Sequence, residues 1–573
     1  MEGSDMSTEH PKHSAQHHAA KFTNKQRTIA LIVVALAFVM DLLDTTIVNI
    51  AIPSIQANLG ASYATIQWLI AGYSLSFAVL LITGGRMGDV FGYKKLFLVG
   101  VTGFTFASLF CGLAWNSEVL IAARLIQGVM AALMVPQVMS LMQVMYKPHE
   151  RAGVMGLFGA LAGVAASLGP VIGGLLIHAN IAGLEWRPIF LINVPMGIFA
   201  LAMAYRFLPE GKSAHPLHLD MRGTGLIVVA MLLLVFPLIQ GRELDWPIWT
   251  FVMMASSIPV LGLFAWWQKR KDAIDGSALI TPILFKAPSF LKGLTLNVTF
   301  QAAMAGFFLP FTLLLQIGLG YEVILAAVTG IPTAIGIALS IGFFGQKLIP
   351  KLGRYALSLG AVVMALGLWL TYVIVNANGL NVSPWHFIPG LLLTGSGMGL
   401  VMAPIFAVTL NDVDPRHAGS ASGVLSAVQQ LGGAIGIAVV GVIFFGQLTQ
   451  HSDASFTSVE SNIRTELTKA SVPAQIHGSI IEGARTCYND SAKQKDSTER
   501  PDSCKTLESQ PQNPASEKIA SIIKDGIKQA NGNNFINAFR AGVIYETVLI
   551  AITFVLSFML PRRIRQEAVG QSH

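Results

Sequence analysis

The sequence predicts an all-α polytopic membrane protein of fourteen spans, and three observations carry that reading. The first is composition. Charged residues are 12% of the 573 residues and hydrophobic ones 53%, with mean hydropathy +0.59, whereas soluble domains carry about 25% charged residues. So few charges do not cover a soluble chain of this length, which excludes a soluble enzyme and a disordered chain. The second is that apolar stretches of about 20 residues, enough to cross a bilayer as a helix, recur along the whole length. None shows the alternation of a barrel strand. The third is that Lys and Arg concentrate on every second connection. The net charge of +7 is therefore read as an orientation signal, not as a surface for nucleic acid.

Residues 1–27 read as a polar, disordered cytoplasmic tail. Its His10, His13, His17 and His18 are expected to be solvated, with metal binding the lesser alternative. The first span, 28–52, is too long for a cleavable signal and carries Asp41 and Asp44. Spans two to six follow at 62–85, 95–115, 118–143, 152–178 and 188–208. The third holds Cys111, expected to be packing, and the fourth holds Arg124. The fifth is rich in glycine, which lets helices approach closely in lipid. Spans seven and eight are expected at 223–241 and 248–267. Spans nine to thirteen are expected at 289–317, 322–346, 355–376, 383–410 and 417–448, and the last at 541–560. Between the last two lies a long polar segment, 450–537, with helix-like patterning around 456–470 and 516–530. Its Cys487 and Cys504 are a disulfide candidate if the segment faces an oxidising compartment; two free thiols are the alternative.

An even span count puts both termini on one side. The tail, the C-terminal Arg562, Arg563 and Arg565, and connections bearing Arg86, Lys94, Lys95, Arg151, Arg222, Lys269, Arg270 and Lys271 share that side. Short connections opposite hold only Arg187 and Arg242. Positive charge stays cytoplasmic, so both termini are expected on the cytoplasmic side of the membrane.

The chain also repeats itself. Residues 85–95 link spans two and three, and residues 345–354 link spans ten and eleven. Arg151-Ala152-Gly153 opens span five and His417-Ala418-Gly419 opens span thirteen. Ser167-Leu168-Gly169-Pro170 is echoed by Gln430-Leu431-Gly432-Gly433. The offset stays near about 260 residues, which marks a duplicated unit and places span n on span n+8. The expected organisation is a six-helix half (28–208), two inserted helices with linkers (209–287) and a second six-helix half (288–573) that contains 450–537. Parallel halves with a substrate site between them describe an alternating-access transporter.

These strings resemble a known family. Residues 43–53, 85–95, 124–128, 159–174, 186–195 and 241–246 occur in the order found in the fourteen-helix EmrB/QacA-type drug:proton antiporters of the major facilitator superfamily. The resemblance implies the major facilitator fold and efflux of lipophilic, mainly cationic drugs, biocides and dyes by alternating access. It implies protons as the coupling ion and no other cofactor. Arg124 stands in the string linked to proton coupling, and Gly169 and Pro170 in the string typical of antiporters. Gly85, Asp89 and Gly92 stand in the loop motif; these five are expected to act as a conformational gate, Asp89 by accepting from the N-terminal amides of a nearby helix. The partners implied are small lipophilic cations and the lipid bilayer, with a periplasmic adaptor and outer-membrane channel left open.

Few ionisable residues lie within spans: Asp41, Asp44, Arg124 and Glu546. Each costs about 2.5–3.5 kcal/mol to insert and is expected to face the bundle interior. Asp41 and Asp44, three residues apart, share a helix face and are suited to carrying a proton across; a structural acceptor is the alternative for Asp44. Arg124 needs neutralising by a carboxylate or by carbonyls, with Gln127 one turn away. Glu546, like Glu322 at the start of span ten, either draws a cation or is solvated among headgroups. Trp68, Tyr73, Phe300, Gln301, Phe307, Phe311 and Gln316 are expected to line the substrate cavity with Asp44 and Glu546, because aromatic faces suit flat cations; simple packing is the alternative. No nucleotide motif, metal cluster or catalytic triad is read, so the chain is expected to be no enzyme. Two rivals stay open: an exporter of lipids or secondary metabolites with the same fold, and a transport-inactive sensor or scaffold built around 450–537.

Overall fold

The computed structural model describes residues 24–561 apart from 147, 214–217, 345–351, 414–417, 494–500 and 509–513. The histidine tail, most of the 345–354 loop, His417, the C-terminal arginines and the side chains of Arg151 to Gly153 and Ser167 lie outside the described residues.

The first half comprises α1 (Asn24–Leu59), α2 (Tyr63–Phe91), α3 (Tyr93–Gly112), α4 (Ser117–Met145), α5 (Pro148–Ala179) and α6 (Pro188–Phe207). The inserted pair is α7 (Met221–Gln240) and α8 (Ile248–Asp275). The second half begins with α9 (Pro288–Leu313), α10 (Val323–Gly342), α11 (Arg354–Asn378), α12 (Pro384–Thr409) and α13 (Ala418–Gln450). Then come α14 (Ser452–Lys469), α15 (Ala474–Lys493) and α16 (Asp502–Glu508), and finally α17 (Pro514–Ser557). Thirteen helices among the described residues are long and apolar enough to cross a membrane. The fifth expected span is α5, of which the stretch Leu168–Ala179 forms a shorter apolar helix.

Polar side chains start several of these helices. Ser62 Oγ accepts from Thr65 N at 3.2 Å ahead of α2, and Asn116 Oδ1 accepts from Val119 N at 2.9 Å ahead of α4. Both satisfy amides that a helix leaves unpaired at its start. The sharp α2–α3 corner needs Gly92, whose φ is 102°; a side chain there is strained. In α9 the regular helix gives way after Pro310 to a π turn, Leu314–Gly318, a rare widening that is frequent at functional sites.

The two halves pack alike. In the first, α1 lies on α5, α2 on α4, α3 on α4, and α6 against α1 and α3. In the second, α9 lies on α13, α10 on α12, α11 on α12, and α17 against α9 and α11. Each pairing recurs eight spans on, with α17 in the place of the sixth span. Close approach is bought with small residues: a Cβ on Gly360 of α11 would stand 2.9 Å from the Gly397 carbonyl of α12. Between halves, α2 packs on α13 and α5 on α10. The inserted hairpin α7–α8 rests along the α2–α13 seam, with Thr83 and Thr224 hydroxyls 2.7 Å apart.

Asp220 caps α7. It is buried, which opposes ionisation, yet Trp267 Nε1, Gly223 N and Gln268 Nε2 donate to it and hold its carboxyl below the usual range. Gln268 Oε1 in turn accepts from Ile280 N at 3.0 Å, so the hairpin is tied to the linker that leads into α9.

The described residues of the polar segment 450–537 form a helical subdomain at the end of the bundle opposite the start of α1 and the end of α17, here called the distal end. Helices α14 and α15 close on the first turns of α17 around Phe456, Ile463, Leu467, Ile481, Tyr488 and Ile523. Cys487 and Cys504 are joined by a disulfide, and Arg485 bridges to Glu460 at 2.8 Å. The expected last span, 541–560, falls on the proximal part of one 44-residue helix, Pro514–Ser557, which continues distally through the patterned stretch 516–530. At 1.5 Å per residue that helix is about 66 Å long, roughly twice a bilayer core, so the subdomain is carried rigidly on a spanning helix.

Candidate functional site

One buried polar cluster dominates the first half. Asp44 of α1 faces α4, because residues 41, 44 and 48 fall on the face of α1 turned from lipid. Arg124 Nη1 donates to Asp44 Oδ2 in an ion pair, both side chains being essentially inaccessible. Gln127 Nε2 and Asn193 Nδ2 donate to Asp44 Oδ1 at 2.8 and 2.9 Å. Arg124 also donates from Nε to the Leu69 carbonyl at 3.1 Å and from Nη1 to Gln127 Oε1 at 2.8 Å. Ser108 Oγ accepts from Gln127 and Asn193 at 2.6 and 3.0 Å. Five helices thus meet at one ion pair. A buried charge is tolerated only when paired and hydrogen-bonded, and both charges here are.

Asp41 stands on the same face one turn earlier and accepts from the Tyr73 hydroxyl. The Tyr73 ring lies 4.2 Å beneath the Arg124 guanidinium, a cation–π contact. Asp41, Tyr73, Arg124 and Asp44 are therefore one continuous set. Thr45 and Thr46 return their hydroxyls to the α1 backbone. Gly169 of α5 leaves its Cβ position to Thr46, whose own Cβ would lie 3.0 Å away, so α5 packs closely on the face of α1 that carries Thr46, turned away from the Asp44 face.

The other expected residues do not converge there. Trp68 packs on Phe236 of α7, 6.0 Å between rings. Phe300 is buried in a core cluster that the second half shares with α1, α2 and α7, and Gln301 Cβ stands 3.1 Å from a Cβ built on Gly432 of α13. Phe307 and Phe311 stack at 5.1 Å, and Phe311 meets Phe387 edge-on at 5.5 Å; they are filled core in this conformation. Glu546 is buried in the second half, not solvated, while Glu322 is exposed ahead of α10. Gln316, in the π turn of α9, donates to the Ile50 carbonyl of α1 at 3.0 Å and so ties the halves together distally. Tyr63 stacks on Phe445 at 4.1 Å, and Arg242 lies over both rings while donating to Thr449 at 2.8 Å. Thr449 also reaches the Ala492 carbonyl at the end of α15. The distal ends of the halves are closed against each other.

At the proximal end, Gly85 leaves room for Pro136, and the amide of Gln137 donates to the Gly84 carbonyl at 2.9 Å. Arg86 donates to the carbonyls of Ser277, Ala278 and Leu279 in the linker after α8. Asp89 accepts from the Tyr93 hydroxyl at 3.0 Å, one turn along, where helix-start amides were expected. Sequence reasoning missed Ser108 and Asn193 as cluster members. An inventory of amides and hydroxyls inside spans includes them, but nothing in it ranks them above Asn297 or Gln67.

Residues 34–437 match the sequence profile of the Major Facilitator Superfamily. A protein described as a probable actinorhodin transporter from Streptomyces coelicolor is 40% identical over 542 residues, 95% of this chain and 93% of its own length. The tetracenomycin C resistance and export protein of Streptomyces glaucescens is 30% identical over 72% of this chain and 75% of its own. The same fold is seen in a bacterial homolog of the human lysosomal transporter Spinster in an inward-facing, unoccupied crystal form. Its TM-score is 0.55 at 15% identity, over 94% of this chain and 98% of that one.

Proposed function

The chain belongs to the Major Facilitator Superfamily and is a transporter, and from that premise we propose that it exports lipophilic toxic small molecules, cations foremost, in exchange for protons. The buried Asp44–Arg124 pair, with Asp41 and Tyr73 attached, is the observation that carries this reading. A carboxylate held by a cation in low dielectric is a charge switch. When a proton binds Asp44, the pair with Arg124 loses its charge attraction, and Arg124 must find other acceptors. Because α1, α2, α3, α4 and α6 all contribute to the cluster, that rearrangement acts on the whole first half. The halves then rock about the α2–α13 and α5–α10 seams, and the proton leaves on the other side. In the proposed orientation the distal end is the outer face, and both termini lie in the cytoplasm of a bacterial cell.

Cation preference follows from the acids in the interior: among the described residues Asp41 and Glu546 carry no paired base, and Arg124 is the one basic residue deep in a described span and is already engaged. A second reading, export of a secondary metabolite, is favoured by the 40% identity to the actinorhodin-transporter relative over almost the full length. Both readings meet one experiment. Inverted vesicles carrying the protein are given a pH gradient and a panel of ethidium-like cations, neutral antibiotics and anionic dyes. Proton-driven uptake of the cations, abolished in Asp44→Asn, is the expected result. Uptake unaffected by collapsing the gradient, or undiminished in Asp44→Asn, sinks the coupling. Preference for anions sinks the charge reading and leaves the metabolite reading in its place.

A further inference from the structure

Glu546 stands apart from the cluster around Asp44. It lies on α17 in the distal third of the membrane part, 1% exposed, and neither of its carboxylate oxygens has a hydrogen-bond partner. The residue facing it on α9 is a glycine: a Cβ on Gly306 would stand 3.7 Å from Glu546 Cγ and 3.8 Å from Oε1. The Tyr545 ring shares that glycine face, its Cε1 3.5 Å from the same Cβ position.

Within the bundle, α17 packs on α9, α11 and α13. The charged residue of α9 is Lys292, and that of α11 is Arg354; α13 carries none. Both bases sit at the proximal end. Lys292 is about 21 Å along α9 from Gly306 at 1.5 Å per residue, and Arg354 gives its Nη1 donor to the Phe558 and Leu560 carbonyls. On α17 itself, Arg540 donates to Asn537 Oδ1 at 2.9 Å. The tyrosines on these elements are Tyr355 and Tyr372 of α11 and the adjacent Tyr545. Among the described residues, no cation and no hydrogen-bond donor meets the carboxylate.

An ionised acid placed this way is desolvated without compensation, and taking up a proton is the cheaper course. The two halves thus hold their acids differently. Asp44 has an arginine and two amides, whereas Glu546 has nothing that supports a charge. We propose that Glu546 is a second proton-carrying site. It takes up a proton when the distal end is open, holds it as a neutral carboxylic acid once the distal ends are closed, and releases it inward when sliding of α9 past α17 opens the Gly306 face to water on the proximal side. This rests on the proton-coupled reading above and adds a second proton to each cycle.

Two measurements test it. Infrared spectra of the purified full-length protein at neutral pH report the carbonyl stretch of neutral carboxylic acids. The band is expected in wild type and in Asp44→Asn, and is expected to be lost in Glu546→Gln, which keeps the size of the side chain. Should Glu546→Gln fail to fold, Glu546→Asp is expected to keep the band at a displaced frequency. Absence of the band from wild type, or its persistence undiminished in Glu546→Gln, overturns the proposal. In proteoliposomes, the ethidium gradient sustained by a fixed pH gradient reads the number of protons per substrate. Glu546→Gln is expected to sustain the smaller gradient of a carrier with one proton fewer. An unchanged gradient overturns the second site alone. Weakened ethidium binding with unchanged proton release makes Glu546 a substrate contact and overturns it too. A wild type that ignores the pH gradient defeats the proton-coupled reading itself, which no property of Glu546 can do.

Discussion

Arg124 has its donors on Asp44, Gln127 and the Leu69 carbonyl, and its face on Tyr73. Removing one member of such a pair leaves a buried charge without its counter-charge, a loss of about 3–5 kcal/mol. Asp44→Asn and Arg124→Gln are each expected to lower the unfolding temperature in detergent, while the double variant recovers a large part of the loss because no net charge is left behind. Strictly additive losses would mean that the two groups do not interact. The transport readout separates from this: the double variant is expected to fold well and still fail to couple. Asp41, Asp44 and Arg124 were legible in the sequence because ionisable groups in apolar spans are rare and expensive. Their partners were less so. Gln127 could be placed by its one-turn spacing from Arg124, but Ser108 and Asn193 come from other helices, and only the packing of α3 and α6 against α1 and α4 brings them to Asp44. The aromatic residues expected in a cavity illustrate the opposite failure: Phe307 and Phe311 have the right chemistry, yet the same chemistry fills a core.

At the scale of elements, the α2–α3 corner turns on Gly92. A Cβ there would meet nothing closer than the Gly211 carbonyl at 3.5 Å, so any penalty for a side chain is conformational and not steric. Gly92→Ala is expected to cost on the order of 1–3 kcal/mol from forcing a non-glycine residue to positive φ, seen as a lower unfolding temperature. An unchanged transition would mean that the corner relaxes freely. The apolar stretches were read in the right order because length and hydrophobicity alone specify a spanning helix. The ends were read less well. Helix α17 begins at Pro514, far ahead of the expected span, because a helix that leaves the bilayer becomes polar without ceasing to be a helix. Helix α15 was missed although His477, Ile481, Ala484 and Tyr488 recur at helical spacing on one buried face; in a segment of low hydropathy that stripe is easily passed over. The π turn at Leu314–Gly318 has no sequence signal beyond Pro310, yet it is what aims Gln316 at α1.

For the whole molecule, recurrence of the same pairings eight spans apart makes the two halves near-copies, with two seams, α2–α13 and α5–α10, related by that duplication. A transporter that works by alternating access must open the distal end once per cycle, and the contacts that close it include Gln316 on Ile50, Tyr63 on Phe445, and Arg242 over the latter pair. Arg242 belongs to the inserted hairpin and is joined through Thr449 to the end of α15, so the hairpin and the distal subdomain both hold the same closure. If the seam must part for transport, a covalent bridge across it should stop transport without disturbing either half. Tyr63→Cys with Phe445→Cys places two thiols where stacked rings now stand 4.1 Å apart. The background is low, since Cys111 is buried and Cys487 and Cys504 are bonded to each other. A short bifunctional thiol reagent is expected to link the pair in the resting protein and to reduce dye export at least tenfold, with either single variant unaffected by the reagent. A cleavable reagent should return export on reduction under conditions mild enough to leave the Cys487–Cys504 disulfide intact, checked by alkylation and mass spectrometry. Bridged protein that exports at the uncrosslinked rate would show that the distal seam stays shut throughout the cycle, and alternating access across it would have to be abandoned.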